Sequence, residues 1–307
     1  AELHTAVTSM GLSGSIHGKK LGFKYSSTDI ESVMNNDSIN TIVIATRHNS
    51  HSDLVCEALK AGKNIFVEKP LSITRDGLLS IDKEYKSQIS SGVGNSQLMV
   101  GFNRRFSIYI QKIKSLLSSV SEPKSFVMTM NAGYIPSDHW VHDINTGGGR
   151  IIGEACHYID LMRYLADSKI THVDARGMGK QNLTKYNNDN VLITLGFADG
   201  SFGSINYLAN GSSIFPKEKI EIFTSGKILA LDNFRSLRGY GWKEFKVMKN
   251  WKQEKGQSNC VKSFLNSIAS GESAIAFDEL LETATIAIDI DEIIRNRLSE
   301  PALSIRQ

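Results

Sequence analysis

The chain has 307 residues, which is enough for two domains, and its hydrophobic content of 41% is that of an ordinary globular protein. A formal net charge of +3 is too small to indicate a nucleic-acid partner, and no basic run carries interleaved aromatic residues. No apolar segment is long enough to span a membrane, and the first residues do not form a signal peptide. We therefore expect a cytoplasmic protein that binds neither membranes nor nucleic acids.

The first part of the chain alternates apolar runs with helical patterns, which predicts an α/β fold with a doubly wound parallel sheet. Residues 87–97, rich in serine and glycine, are predicted to form a flexible loop. The apolar spacing of residues 108–117 predicts a helix that bridges two domains. The predicted strands of this first domain, residues 1–122, are 3–7, 41–45, 64–67 and 98–102.

The pattern changes after residue 122. A long helix, 151–165, interrupts a series of short strands, and helices at 258–270 and 277–295 follow them. The dipeptides Asp199-Gly200 and Ser225-Gly226 have the composition of hairpin turns. We therefore predict an α+β domain, residues 123–307, with a large, open, mainly antiparallel sheet and a last helix able to pack back on the first domain. Its predicted strands are 126–130, 173–177, 191–197, 202–207, 220–223, 228–231 and 245–248.

The three cysteines, Cys56, Cys156 and Cys260, are widely spaced and include no C-x-x-C pair. This spacing argues against a disulfide framework and against a cysteine-based zinc site, so we predict reduced core thiols. The tract His139-Trp140-Val141-His142-Asp143 lies in a predicted loop, where such a tract more often faces a substrate or solvent than a metal. No metal site is predicted.

Three of the predicted strands end in polar or cationic residues. Glu68-Lys69-Pro70 follows strand 64–67, and the proline forces a turn directly after the lysine. Strand 41–45 leads into Thr46-Arg47-His48, and strand 98–102 leads into Asn103-Arg104-Arg105. Because α/β proteins bind ligands at the carboxyl ends of parallel strands, these residues predict a binding site. The alternatives are a solvated surface lysine at position 69 and an interdomain ion pair for the two arginines.

Three segments of the chain resemble the Gfo/Idh/MocA oxidoreductases. They are TIVIATRHNSHSDLVCEALKAGKNIFVEKPL, LMVGFNRRF and GGGRIIGEACHYIDLMRYL. The resemblance covers essentially the whole chain. It is strongest to the C-terminal half of the bi-domain oxidoreductases of bacterial surface-polysaccharide gene clusters, in which a zinc-alcohol-dehydrogenase-like half comes first.

The resemblance implies hydride transfer between a sugar-like carbinol carbon and a nicotinamide cofactor. His157 would take the hydroxyl proton, and Lys69 would hydrogen-bond the same oxygen, so these two residues are the predicted catalytic pair. For His51, a structural role at a helix start is favoured over cofactor contact. The residues predicted to contact substrate are Asn103, Arg105, Trp140, Glu154 and Asp160, and those predicted to line the cofactor crevice are Thr8, Ser9, Thr46, Arg47, His48, His51, Glu68, Lys69 and Pro70.

His157 lies on a helix face that mixes polar and apolar residues, so it is predicted to be partly buried. A histidine in this position is either a packed, hydrogen-bonded residue or, as the resemblance implies, the acid/base residue opposite Lys69. Family members often have an aspartate four residues earlier, where this chain has Gly153. Glu154 or Asp160 is then the candidate to orient the imidazole, or the orienting group is absent, which puts the reaction itself in question.

The glycine pattern near the start of the chain also departs from the family. Members open with a strand and a G-x-G-x-x-G turn, which lets the backbone approach a pyrophosphate. Here residues 1–9 resemble the second strand of the fold, and the glycines that follow, Gly11, Gly14, Gly18 and Gly22, lack that spacing. We therefore expect an incomplete doubly wound (Rossmann) sheet without the first βα unit, and weak cofactor binding by the chain as given.

No acidic residue follows the strand at 3–7, where Thr8 and Ser9 stand, so the cofactor is NADP or NAD, with a lean towards NADP. The resemblance further implies a small carbohydrate substrate, a homodimer or higher homo-oligomer, and an upstream alcohol-dehydrogenase-like half. Two other functions stay open. One is a non-catalytic ligand-binding or regulatory protein of the same fold, and the other is a redox-neutral sugar enzyme that uses bound NAD transiently.

Overall fold

The computed structural model describes residues 2–9, 11–91, 96–178 and 189–299. The first domain contains five parallel strands in two ladders. One ladder pairs β1 (Thr5–Val7) with β2 (Tyr25–Ser27), and the other has the order β3 (Thr41–Ile44), β4 (Asn64–Val67), β5 (Leu98–Val100). The helices between the strands are α1 (Gly11–Leu21), α2 (Ile30–Met34), α3 (His51–Lys60) and α4 (Arg75–Ser91).

Burial differs sharply between the strands of this domain. β5 is buried throughout, and β4 is buried except at its first residue, because helices cover both faces of these strands. In contrast, Val43 in the middle of β3 is 66% exposed. Within the described ranges, β1 pairs only with β2 and β3 pairs only with β4.

The second domain is built on one eight-stranded sheet in the order β13-β12-β11-β10-β6-β9-β8-β7. All its neighbouring strands are antiparallel except the pair β6/β9, so the predicted fold class, a parallel sheet followed by a mainly antiparallel one, is confirmed. The strands are β6 (Ser125–Asn131), β7 (Ile170–Gly177), β8 (Asn190–Phe197), β9 (Phe202–Leu208), β10 (Glu218–Thr224), β11 (Lys227–Asp232), β12 (Ser236–Tyr240) and β13 (Val247–Lys249).

Helices cover one face of this sheet. They are α5 (Ile108–Leu117), α6 (Cys156–Ala166), which follows a π-helical turn (Ile151–Ala155), α7 (Gln257–Ser270) and α8 (Phe277–Ser299). The alternation along β8 shows the two faces, because Val191, Ile193 and Leu195 are buried whereas Leu192 is 44% exposed. α8 also contacts the first domain, where the ring of Phe277 stacks on Tyr85 at a centroid distance of 3.7 Å.

Two predicted elements differ from the structure. Residues 87–91 are not a loop but the last turns of α4, whose serines lie on its solvent side while Gln88 donates to Leu59 O and Ser96 Oγ. The predicted strand 245–248 is shifted to β13, because Phe245 is not paired in a ladder but packs against the backbone at Gly239. Sequence analysis also missed β2 and β12, which are short and carry few apolar residues.

The predicted hairpin turns are confirmed. Ser225 and Gly226 have φ of 48° and 71°, as a tight β10–β11 hairpin requires, and Gly200 has φ of 83° in the β8–β9 turn. All three cysteines are free and buried. Within the described residues, no helix is long and apolar enough to cross a bilayer.

Candidate functional site

The candidate site lies where the carboxyl ends of β3 and β4 face the π-helical turn before α6. Lys69, directly after β4, is half-buried, and its Nζ donates a hydrogen bond of 2.8 Å to the carbonyl oxygen of Gly153. An ammonium group has three donors, so this bond fixes the lysine and leaves two donors for a ligand. The predicted turn after β4 therefore directs Lys69 across the domain interface rather than into bulk solvent.

His48 follows β3 and is buried beside the same turn. Its Nδ1 lies 2.8 Å from the carbonyl oxygen of Gly147, and its ring meets the ring of Trp140 edge-on at 4.9 Å. A β-carbon built on Gly153 would lie only 2.8 Å from His48 Cε1, so this histidine occupies the space of a side chain at position 153. Burial, with a smaller contribution from the positive charge of Lys69, lowers the pKa of His48 to about 4, although the bond to Gly147 acts in the opposite direction.

His157, on the first turn of α6, is only 6% exposed, so the prediction of partial burial is wrong. The helix face is covered because Phe102, after β5, lies against it with a ring-centroid distance of 6.0 Å. Burial moves the pKa of His157 well below its usual range, and the positive charges of Arg104, Lys69, Lys255 and Lys217 act in the same direction. The imidazole is therefore neutral at neutral pH.

Neither predicted orienting acid contacts His157. Its Nδ1 is fully buried and has no hydrogen-bond partner within the described part of the chain. Glu154 instead accepts bonds from Tyr207 Oη at 2.6 Å and from Arg150 at 2.9 Å, and pairs with Lys217 at 3.4 Å. Burial alone would raise the pKa of Glu154, but the Tyr207 hydroxyl and the two cations outweigh it and lower the pKa. The predicted substrate residue Glu154 is thus held in a polar network.

The two arginines after β5 form buried interdomain ion pairs. Arg105 binds the carboxylate of Asp160 through two nitrogens, at 3.1 and 2.5 Å, and reaches Glu279 at 3.0 Å. This contradicts the substrate-binding role predicted for Arg105 and Asp160, because both side chains are almost fully buried and satisfied by each other. The alternative prediction, an ion pair between domains, is confirmed.

Arg104 forms the second pair with Glu218, at 2.8 and 3.2 Å, and Lys255 reaches the same carboxylate. Burial alone would raise the pKa of Glu218, but Arg104 and Lys255 reverse the effect and lower the pKa to about 2. Asn103, predicted to contact substrate, donates to the carbonyl oxygen of Lys255 at 2.7 Å and so anchors the segment before α7.

The residues predicted to line a cofactor crevice fall into two groups. His51 and Pro70 are buried, and the His51 ring lies 2.7 Å from Pro70 O and 3.2 Å from Thr46 O, in line with the favoured structural role. His48 is also buried, and the others lie nearer the surface. Thr46, Arg47, Glu68 and Ser9 are exposed, and Thr8, beside Gly14, is half-buried.

The loop that contains Trp140 covers the β3 side of the site. Arg47 Cζ lies 5.8 Å from the centre of the Trp140 ring, and Trp140 is half-buried between Arg47 and His48. In the same loop His139 Nδ1 accepts from Val141 N, whereas His142 faces Asp189 at 3.7 Å. Among the described residues, no three histidine, cysteine or acidic side chains converge as metal ligands.

Sequence analysis did not identify Glu218, Lys255 or Tyr207 as parts of the interface. A usable signal was present for two of them. Glu218 has the same strand parity as the buried Ile220 and Ile222, and Tyr207 the same parity as Ile205, so both side chains had to point into the core. A buried carboxylate requires a cation, which would have indicated a partner for Glu218.

Comparison with known proteins places this geometry in a family. Residues 7–88 match the profile described as "Oxidoreductase family, NAD-binding Rossmann fold", and residues 110–227 match the "GFO/IDH/MocA C-terminal domain". The predicted class of cofactor, a nicotinamide dinucleotide, agrees with the first of these descriptions.

Individual relatives agree with the family match. An uncharacterized oxidoreductase, YrbE, of Bacillus subtilis is 27% identical over 69% of this chain and 61% of its own length. Myo-inositol 2-dehydrogenase of Thermotoga maritima is 27% identical over 71% of this chain and 64% of its own length, so the match covers less than two thirds of either relative. The structure of levoglucosan dehydrogenase in complex with NADH and levoglucosan has the same fold, with a TM-score of 0.83 and 21% identity over 96% of this chain and 88% of its own. The chain belongs to the Gfo/Idh/MocA oxidoreductase family.

Proposed function

We propose that this protein is a nicotinamide-dependent oxidoreductase that interconverts a hydroxyl and a carbonyl group on a sugar or sugar derivative. The observation that carries the proposal is the contact of Lys69 with Gly153 O, which anchors a cationic donor on the turn that leads into His157. Relatives named for inositol and levoglucosan point to polyhydroxylated ring substrates.

The residues at the carboxyl ends of the strands fit a dinucleotide. Thr46 and Arg47 expose a hydroxyl and a guanidinium group at this edge, where sheets of this type bind nucleotides. We propose that these two residues contact the ribose and phosphate groups, and that Thr8 and Ser9 lie near the adenosine. The family description favours NAD. The absence of an acid after β1 leaves NADP as the alternative, and comparing the two cofactors at equal concentration decides between them.

When bound, the nicotinamide accepts or supplies the hydride. The chain itself has to stabilise charge on the substrate oxygen and move a proton. Among the described residues Lys69 uses one of its three donors, so two remain for that oxygen, and a preorganised donor of this kind stabilises an alkoxide as it develops. His157, neutral because it is buried among cations, supplies a ring nitrogen at the same interface. The interdomain ion pairs hold the two domains in register around these groups.

The charge around His157 favours a substrate with an acidic group. Arg104 and Lys255 share the single carboxylate of Glu218, and Lys217 shares Glu154 with Arg150. Arg150 also pairs with Asp189, so four cations in this cluster face three carboxylates. We expect glucuronate to give a lower KM than glucose, and added salt to raise the KM for glucuronate only, since salt screens charge–charge attraction. Equal KM values with no effect of salt would contradict an acidic substrate.

The open face of the eight-stranded sheet supports self-association. The exposed apolar side chains on the strands of this sheet are Phe202, Tyr240, Val247, Leu192, Phe223 and Val127. Apolar groups on one sheet face favour a second copy as partner. Light scattering is expected to show a dimer or larger assembly that Phe202→Glu weakens, with the exposed Tyr134→Glu as a control. A monomer at micromolar concentration would contradict this proposal.

The exposure of β3 is an argument for a further βα unit between β1 and β3. Strands of a doubly wound sheet are normally covered on both faces, yet Val43 is 66% exposed. If the full polypeptide supplies this unit, and with it the alcohol-dehydrogenase-like half, the amides of β3 will exchange with solvent more slowly there than in this chain. Equal exchange rates would contradict it.

The proposed function is tested in the full polypeptide with NAD and a panel of polyols that includes myo-inositol and levoglucosan. Lys69→Met is expected to lower kcat by about 10²–10³-fold, because an oxyanion donor is lost. Adding His157→Gln to Lys69→Met should cost less than the sum of the single effects, because both groups act on one oxygen. Cofactor binding without turnover on any polyol would favour a regulatory protein instead. Exchange of substrate without net reduction of NAD would favour a redox-neutral enzyme.

A further inference from the structure

We propose that His48 Nε2 is the proton acceptor for the substrate hydroxyl. This inference rests on the proposed oxidoreductase function and changes the residue to which the proton goes. The two histidines of the site, His48 and His157, differ in the hydrogen bonding of their Nδ1 atoms. His48 Nδ1 lies 2.8 Å from a carbonyl oxygen, that of Gly147, whereas His157 Nδ1 is buried without a partner in the described part of the chain.

This difference fixes the tautomer of His48. A carbonyl oxygen only accepts hydrogen bonds, so Nδ1 must carry the proton and Nε2 must present its lone pair. His48 Nε2 has no hydrogen-bond partner among the residues that the structure describes. His48 therefore combines a fixed orientation with an unused acceptor.

The opposite tautomer is favoured for His157. A proton on its buried Nδ1 would be an unsatisfied donor, which is costly. The proton then resides on Nε2, so His157 is able to donate a hydrogen bond to the substrate oxygen but is poorly arranged to accept a proton from it. Its role in this scheme is to help Lys69 hold that oxygen.

The position of His48 suits an acceptor role because it borders Gly153. The ring lies where a side chain at residue 153 would be, and Lys69 Nζ is bonded to the carbonyl oxygen of the same glycine. The charged and titratable groups around the ring are Lys69, Arg47 and His51. Lys69 follows β4, Arg47 directly precedes His48 in the chain, and His51 begins α3. The ring of Trp140 lies on the remaining side. The ring is neutral at neutral pH, so its lone pair is available.

In the direction of oxidation, two bonds to hydrogen break in the substrate. The substrate C–H bond breaks, and the hydrogen leaves with both electrons to an oxidised nicotinamide dinucleotide. The O–H bond breaks, its proton forms a new N–H bond at His48 Nε2, and the C=O bond forms. The imidazolium then returns its proton to water.

The first test does not depend on turnover. Long-range nitrogen–proton NMR spectra of this chain, assigned with His48→Asn and His157→Asn variants, are expected to show His48 with the proton on Nδ1 and His157 with the proton on Nε2. Myo-inositol should shift the His48 Nε2 resonance. The proton on Nε2 of His48 would overturn the proposal, and so would a His48 signal that does not respond to any polyol that the enzyme oxidises.

The second test uses kcat in the full polypeptide. His48→Gln is expected to lower kcat by about 10²–10⁴-fold, with a smaller loss for His157→Gln and none for the exposed His172→Gln. Gly153→Ala should lower kcat because its methyl group displaces the His48 ring, and should have little further effect when combined with His48→Gln. A His48→Gln enzyme that keeps its kcat and its acidic pH limb would overturn the proposal. Absence of turnover in the wild type would instead refute the oxidoreductase function.

Discussion

The polar groups at the strand ends of the first domain form two regions that differ in one respect. The interdomain ion pairs, Arg104 with Glu218 and Arg105 with Asp160, are buried, and each guanidinium meets a carboxylate. Lys69 and the rings of His48 and His157 lie at the same domain interface, yet each keeps a donor or acceptor that no described residue uses. The two regions therefore differ in whether their polar atoms are already paired within the protein. Paired groups hold the domains together, and groups with an unused donor or acceptor are able to bind a ligand.

Removal of one member of a buried ion pair should have the largest effect on stability. Arg105→Met leaves the carboxylate of Asp160 buried without its main partner, so the free energy of unfolding should fall by about 3–5 kcal/mol. Urea denaturation measures the loss. The double variant Arg105→Met/Asp160→Leu should recover most of it, because the remaining carboxylate that contacted Arg105, that of Glu279, is 26% exposed and can be hydrated. A loss below about 1 kcal/mol for Arg105→Met would show that water reaches Asp160 and that the pair is not structural.

Acid should weaken the other pair. The folded-state pKa of Glu218, about 2, lies below its ordinary value, so its stabilising effect is complete above the unfolded pKa of about 4.3 and is lost as pH falls towards 2. The free energy of unfolding should therefore decline between these pH values by an amount on the order of 3 kcal/mol. Glu218→Gln should make this decline shallower, and an unchanged slope would contradict the pairing.

Lys69 should contribute little to stability, in contrast to its effect on turnover. Lys69→Met removes one hydrogen bond to a carbonyl oxygen and should lower the free energy of unfolding by about 1 kcal/mol. Lys63 is a matched control, since its Nζ donates to Asn36 O at the same distance of 2.8 Å but lies away from the site. Lys63→Met should cost similar stability and leave kcat unchanged. A loss as large as that of Arg105→Met would remove the distinction between the two regions.

The smallest effect is expected where an ion pair is exposed. Arg75 binds Asp289 and Glu292 on α8 through short contacts, yet its side chain is 46% exposed. Arg75→Ala should lower the free energy of unfolding by less than about 1 kcal/mol, because water screens the charges. The midpoint of thermal unfolding should therefore fall only slightly. A larger loss would mean that contact geometry, rather than burial, determines the strength of the pairs.

Local sequence patterns predicted most strands and helices in their order, except short strands such as β2 and β12, and they predicted the sheet edge that carries Lys69. Apolar residues at every second position predict strands, because successive side chains of a strand point to opposite faces. Residue pairs such as Ser225-Gly226 predict hairpins, because their residues adopt the positive φ angles that a tight turn requires. The run Glu68-Lys69-Pro70 likewise placed a lysine at a strand end, and the structure confirms that position.

The pairing of the polar groups, in contrast, depends on the tertiary structure. Arg105 and Asp160 are 55 residues apart, and Arg104 and Glu218 are 114 apart, so no local pattern distinguishes a buried ion pair from a binding residue. The same holds for His48 and Gly153, whose close contact appears only when the loop after β3 meets the turn before α6. Pairing between distant segments depends on how the two domains pack, and that packing also places Gly147 O beside His48 Nδ1, which leaves Nε2 without a partner among the described residues.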